Sequence, residues 1–362
     1  MKYLDEYRDP ELAKKLIASI KATSRREVRL MEVCGTHTVA IFRSGIRGML
    51  PENISLLSGP GCPVCVTPNE DIDTAIAIAR QEDTILATFG DMIKVPGSRS
   101  SLEIERAEGA DIRVVYSSLD ALEIARQNPR KKVMLFGIGF ETTSPTIASA
   151  VLSAESENMD NFFVLVSHKL IPPAMKALLD AEDVRIDGFL CPGHVSAIIG
   201  SRPYEFIPED YGVPCVIVGF EPLDILHSIL MAIRQLESGN ARVEIGYRRA
   251  VRPEGNITAL KILEQVFEIC DAPWRGLGLI PRSGLRFRKE YGRFDARSAF
   301  GVDVSASSEP EGCLCGEILR GAKMPPDCQF YGEACTPDNP IGPCMVSSEG
   351  TCAAYFRYGG FV

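Results

Sequence analysis

Apolar residues along the chain recur with two different periods. Asp9-Pro10 followed by Leu12, Leu16, Ile17 and Ile20 sets hydrophobic residues at helical spacing behind an Asp cap and a Pro at the first helical position, which predicts an amphipathic helix. Beyond it, short β-rich runs at 28–33, 84–89, 112–116, 132–136, 162–166 and 213–218 alternate with helical segments at 71–80, 119–127, 146–154 and 222–236. Strands apolar on both faces and separated by helices predict a parallel sheet covered on both sides, so the fold class is α/β. After about residue 240 the alternation weakens: a helix is expected over 257–270, then a Gly- and Arg-rich stretch over 274–297, then a cysteine-rich tail. Glu290 and Asp295 are interspersed among the cations of that stretch, which reads as a solvated face.

Several motifs echo one another. A strand opening into CGTHT at Cys34, a Pro-Gly turn in GPGCPVC and a strand ending in FGDM are matched later by GFETT at Glu141, CPGHVS and GFEPLD. Duplication and chance similarity among α/β units both explain this. If duplicated, the halves would face each other across a cleft, with the motif loops at the carboxyl ends of the strands. The division expected is 1–120, 121–240 and 241–362.

Composition then narrows the class. The 362 residues suffice for two or three domains, and 45% hydrophobic with 24% charged residues is ordinary for a globular protein. A net charge of −9 argues against a general nucleic-acid binder. No apolar run approaches the ~18 residues of a membrane span, and MKYLDEYRDPELAKKL has no secretory apolar core, so a cytoplasmic location without membrane partners is expected. The unusual number is 12 cysteines beside one Trp and four His. In the cytoplasm, clustered cysteines bind metal or do thiol chemistry more often than they form structural disulfides.

Cys313, Cys328, Cys335 and Cys352, with Cys315 and Cys344 nearby, have the long gaps and Pro/Gly turns of a loop wrapped around a metal. Four thiolates suit a [4Fe–4S] cluster; tetrahedral zinc, usually held by close C-x2–4-C pairs, is the rival, and reduced thiols remain a third reading. Cys62 and Cys65 form a C-x-x-C pair, read as a redox dithiol or half of a zinc site. Cys34, ending a strand and followed by Gly35, Thr36, His37 and Thr38, reads as a nucleophile or soft iron ligand, and the polar continuation argues against apolar burial. Glu141, His168, Lys169, His194, Ser196, Glu221 and Asp224 also stand at expected strand ends; Cys215 and Cys270 read as core.

The strings MEVCGTHT, GPGCPVC, TFGDMIKVPGS, GFETTSPT, SHKLIPPAM, CPGHVS, GFEPLDIL and PCMVSSEGTCAAY, in this order over nearly the whole chain, resemble the HypD family of hydrogenase maturation factors. The resemblance implies two Rossmann-like parallel-sheet domains of related fold facing a cleft, plus a smaller C-terminal region holding a [4Fe–4S] cluster. It implies a scaffold that, with HypC and HypE, assembles the Fe(CN)2CO group of [NiFe] hydrogenase. Carried onto this sequence, Cys34 holds the iron, Cys62 and Cys65 are the redox dithiol, and Cys313, Cys328, Cys335 and Cys352 hold the cluster. Cys315 lies close enough to replace Cys313. Around the iron, His37, Thr36, Thr38 and His194 would donate hydrogen bonds to cyanide nitrogens. The competing class is a stand-alone Fe–S-dependent thiol/disulfide oxidoreductase.

Overall fold

The computed structural model describes residues 5–304 and 308–359. Its strands are β1 (Val28–Glu32), β2 (Ile54–Ser58), β3 (Thr84–Phe89), β4 (Ile112–Val115), β5 (Lys132–Gly139), β6 (Phe162–His168), β7 (Gly188–Pro192), β8 (Cys215–Val218), β9 (Val243–Ile245), β10 (Phe267–Trp274) and β11 (Gly278–Phe287). Two parallel sheets result, ordered β2-β1-β7-β8-β9 and β4-β3-β5-β6, with β10-β11 a separate antiparallel hairpin. The α/β class expected from the apolar pattern is the one observed.

The chain leaves the first sheet after β2, builds all of the second, and returns at β7. Boundaries at 120 and 240 therefore do not follow the sheets: the first sheet draws on 28–58 and 188–245, the second on 84–168. The join is the parallel pairing of β1 with β7, Leu30 opposite Gly188, a contact between distant segments that no local pattern announces. Taken from β7 onward, the first sheet runs β8-β7-β1-β2 as the second runs β4-β3-β5-β6. The two sheets are thus related by a circular permutation. Cys34, after β1, and Glu141, after β5, are counterparts, as their motifs suggest. GPGCPVC, however, corresponds to SHKLIPP after β6, and CPGHVS to FGDM after β3.

The first helix begins as expected, with Asp9 Oδ1 accepting from the backbone of Glu11 and Leu12 at 2.8 and 3.2 Å. The helix expected over 257–270 ends at Val266, because Phe267–Cys270 pair with Gly284–Phe287 in the hairpin. Cys270, on that hairpin, is only half-buried, so it is not a core residue.

Alternation along each strand divides the core into layers. Val28 and Leu30 of β1 pack with the Pro222–Ser238 helix, while Met31 faces a central cluster shared with β5, β6 and β7. That central cluster also takes in Cys62, Cys65, Cys315, Cys344 and Cys352, so the tail is part of the core.

Glu141 is buried at the end of β5, where Oε1 accepts the Ile171 N–H at 2.9 Å and Oε2 has no partner. Burial raises its carboxyl from 4.5 to about 7. A raised folded-state value means its contribution to stability is complete below the unfolded value and is lost as pH rises through about 7. Glu141→Gln keeps an acceptor for Ile171 and removes the titration, so urea unfolding from about pH 5 to 8 should show the variant losing less stability than the parent. Equal losses would contradict this.

Candidate functional site

Four neighbouring strands, β2-β1-β7-β8, end in the loops that carry the sequence motifs. The sheet order reverses between β1 and β7, and the crevice outside such a switch point is where open α/β sheets bind ligands. Cys34 stands there, directly after β1, at the N-terminus of the Gly35–Arg43 helix. The dithiol loop follows β2 on one side; His194 and Phe220 follow β7 and β8 on the other.

Cys34 is buried, at 8% exposure, contrary to the expectation from its polar continuation. The thiol faces the backbone N–H groups of His37 and Thr36, which favour a thiolate, but desolvation outweighs them and pushes it up to about 12. The polar side chains that follow are turned toward two carboxylates instead. Glu32, itself buried, accepts from Cys34 N at 3.1 Å and from the Thr38 hydroxyl; Glu349, from the tail, accepts from the Thr36 hydroxyl at 2.7 Å. Both threonine protons are thereby committed within the protein. His37 is buried without a hydrogen-bond partner and stacks on Phe220 at 4.6 Å, its basicity lowered to about 4 by burial. Exposed His194 stacks on Phe220 at 3.9 Å. Beside Thr36 a 460 Å³ groove opens between Val39, Ala40 and Arg43 on one wall and Phe220 and Pro222 on the other.

Two glycines let backbones touch here. A β-carbon on Gly61 would overlap the Cys34 backbone, and one on Gly35 would overlap the Glu349 carbonyl. Gly35 N also donates to Gly61 O at 3.0 Å.

Cys62 caps the short Pro63–Val66 helix and is disulfide-bonded to Cys65, with Cα atoms 5.2 Å apart and both residues buried. Cys65 Sγ lies 3.8 Å from Pro343 O, so the pair sits against the tail. There, Cys313, Cys315, Cys328, Cys335 and Cys352 line one small pocket. A β-carbon on Gly342 would come within 2.8 and 2.9 Å of the Cys313 and Cys315 sulfurs. Ile341 N donates to Cys335 Sγ at 3.3 Å, and contacts with Cys315 and Cys344 hold the Cys352 thiol below its ordinary value. Among the described residues no three donors gather at one point as a single ion needs. Ligands of a four-iron cluster each hold a different iron and so line a cavity rather than meet at a point. From this lobe the turn 347–350 returns to Cys34: Ser347 bonds Asp91 at 3.1 Å, Glu349 bonds Thr36, and Gly350 packs on the Cys344 backbone.

Of the other expected strand-end groups, Glu221 lines the groove beside Thr36 and the rest are not gathered into this site. Lys169 lies 3.7 Å from Asp71, Asp224 pairs with Arg249, Glu221 with Arg8, and Ser196 donates to Pro192 O. Sequence reasoning missed Glu32, Glu349 and Phe220. Glu32 alone left a trace, as an acid in a strand otherwise apolar toward its end.

The fold and the site together define an α/β protein with a thiol-rich crevice at the carboxyl edge of a parallel sheet, closed by a cysteine-lined lobe. The family model described as HypD, Hydrogenase formation hypA family, matches residues 11–359. Hydrogenase maturation factor HypD2 of Bradyrhizobium diazoefficiens is 48% identical over 371 residues, covering 100% of this chain and 98% of its own. Hydrogenase maturation factor HypD of Rhodobacter capsulatus is 48% identical over 99% of both chains, and a putative hydrogenase expression/formation protein of Methanocaldococcus jannaschii is 45% identical over 97% of this chain and 98% of its own. The chain belongs to the HypD family. Among the described residues no helix is long and apolar enough to cross a membrane.

Gly61→Ala forces the dithiol loop away from Cys34. It should destabilise the fold by about 1–3 kcal/mol in urea unfolding and speed alkylation of Cys34. Unchanged stability and alkylation would show that the two loops do not depend on each other.

Proposed function

We propose that this chain is a scaffold on which the Fe(CN)2CO group of [NiFe] hydrogenase is assembled, working with HypC and HypE. The observation that carries the reading is the convergence of Cys34, the Cys62–Cys65 pair and the cysteine-lined pocket along one sheet edge. Cys34 would hold the substrate iron jointly with a cysteine of HypC: a thiolate is a soft donor suited to low-spin iron, and metal binding displaces the proton that burial otherwise retains. With Thr36 and Thr38 bonded to carboxylates, His194 is the candidate with a free face for a cyanide nitrogen, while neutral His37 and Phe220 supply an apolar wall.

The lining suits a [4Fe–4S] cluster on two grounds: a donor set of several thiols, and a glycine at position 342 that lets the backbone lie close against the Cys313 and Cys315 sulfurs. Cys313, Cys328, Cys335 and Cys352 would hold it, and the cluster would supply single electrons beside the disulfide. Both sulfurs of the Cys62–Cys65 pair are buried, so direct exchange with another protein's disulfide is sterically closed. That favours the scaffold over a stand-alone thiol/disulfide oxidoreductase.

Anaerobic purification should give a brown protein with absorption near about 400 nm and about four irons per chain. Co-expression with HypC should add infrared bands of bound cyanide and carbon monoxide. Cys34→Ala should abolish the bands and keep the iron count. Bands that survive Cys34→Ala would refute the ligand assignment, and a colourless zinc protein would refute the cluster. Cys313→Ser should lower the iron count and Cys315→Ser preserve it; the reverse would transfer the ligand role to Cys315.

A further inference from the structure

Arg275 follows Trp274 at the end of β10 and, despite lying in a stretch that reads as solvated, is 2% exposed. Its backbone N–H donates to Val66 O at 2.9 Å, next to Cys65. Its neighbour Gly276 touches the backbone of Gly316, next to Cys315. The backbone at Arg275–Gly276 thus runs between the dithiol helix and the Cys315–Leu319 helix of the cysteine lobe.

The guanidinium is poorly satisfied there. Nη2 donates to Pro96 O at 3.4 Å, while Nε and Nη1 have no hydrogen-bond partner among the described residues. Glu309 Oε1 lies 3.4 Å from Nε without the geometry of a hydrogen bond, and its side chain is half exposed. The remaining groups that act on the guanidinium charge are Cys315, Cys344 and Cys313. A guanidinium cannot shed its proton as a buried lysine can, and here its one carboxylate partner, Glu309, is half exposed and leaves two buried donors unbonded, which is destabilising. Buried donors left unbonded beside the cysteine lobe therefore call for further negative charge there.

We propose that Arg275 is the counter-cation of the cysteine pocket, a positioning residue whose fixed charge holds an anionic thiolate-bound metal group and raises its reduction potential. This rests on the cluster reading above. Four thiolates around a [4Fe–4S]2+ core carry a net charge of two minus, and adding an electron makes it more negative. A fixed cation beside it favours the reduced form, and N–H donors to sulfur act in the same direction.

The test compares the full chain with Arg275→Met and Arg275→Lys, each purified anaerobically and each also stripped of metal by chelation. In the loaded protein, a potential titration followed by electron paramagnetic resonance should show Arg275→Met shifted to lower potential by about one tenfold step in the reduction equilibrium, ~59 mV for one electron. Arg275→Lys, which keeps the charge, should stay close to the parent. Thermal unfolding should change sign with loading. Arg275→Met should melt lower than the parent when loaded, and no lower than the parent when stripped, because the stripped parent keeps two buried guanidinium donors unbonded. An unchanged potential, or a stripped Arg275→Met that melts well below the stripped parent, would overturn the proposal. A parent that purifies without iron would refute the cluster reading instead, and the stripped comparison would still decide whether Arg275 lacks a partner in the protein itself.

Discussion

The arrangement depends on backbone meeting backbone where side chains are absent. Gly61 lies against Cys34, Gly35 against Glu349, and Gly350 against Cys344, so three segments far apart in sequence are held within van der Waals contact. A methyl group at any of these positions would separate them. Interiors packed to crystal-like density have no slack to absorb such a change. The Cys34 loop therefore cannot move independently of the dithiol loop on one side or the cysteine lobe on the other.

Polar groups enforce the same closure. Glu32 and Glu349 take up the donors of the Cys34 loop from opposite sides, one from the sheet and one from the tail. What remains at Cys34 is a buried thiol at a helix start, beside a row of stacked aromatic rings. Such a thiol is a poor nucleophile toward large partners and a suitable ligand for a small, soft metal group. The two sheets supply the platform, and the permuted order of the first sheet matters to the site. Because the chain departs after β2 and returns at β7, the switch point falls between segments that bring Cys34 and His194 side by side.

Much of this was legible in the chain. Helical spacing behind Asp9, apolar runs alternating with helices, and the crowding of cysteines each reflect local rules of capping, pleating and ligand chemistry, so local patterns report them. The motifs CGTHT and GFETT also fall after strands, β1 and β5, that hold equivalent places in the two sheet orders. Three things were hidden because they depend on distant partners. The β1–β7 pairing joins residues some 150 positions apart, and the division into sheets could not be read without it. Short β7 carries too few alternating positions to stand out, and Phe267 and Cys270 continue the helical spacing of Leu260, Leu263 and Val266, which is why Phe267–Cys270 reads as helix. Burial of Cys34 and Arg275 depends on the tail packing against their loops, which the small or polar residues that follow them, Gly35-Thr36 and Gly276, do not announce.

On the proposed reading, the cysteine lobe holds metal where it packs against the dithiol and, through the 347–350 turn, against Cys34. A crystal structure of the anaerobically purified chain, with anomalous scattering recorded at the iron edge, tests this most directly. The account predicts iron density inside the pocket bounded by Cys313, Cys328, Cys335 and Cys352, with Cys65 in contact with Pro343. Iron bound elsewhere, or a pocket collapsed around protonated thiols in a protein that still carries iron, would contradict it.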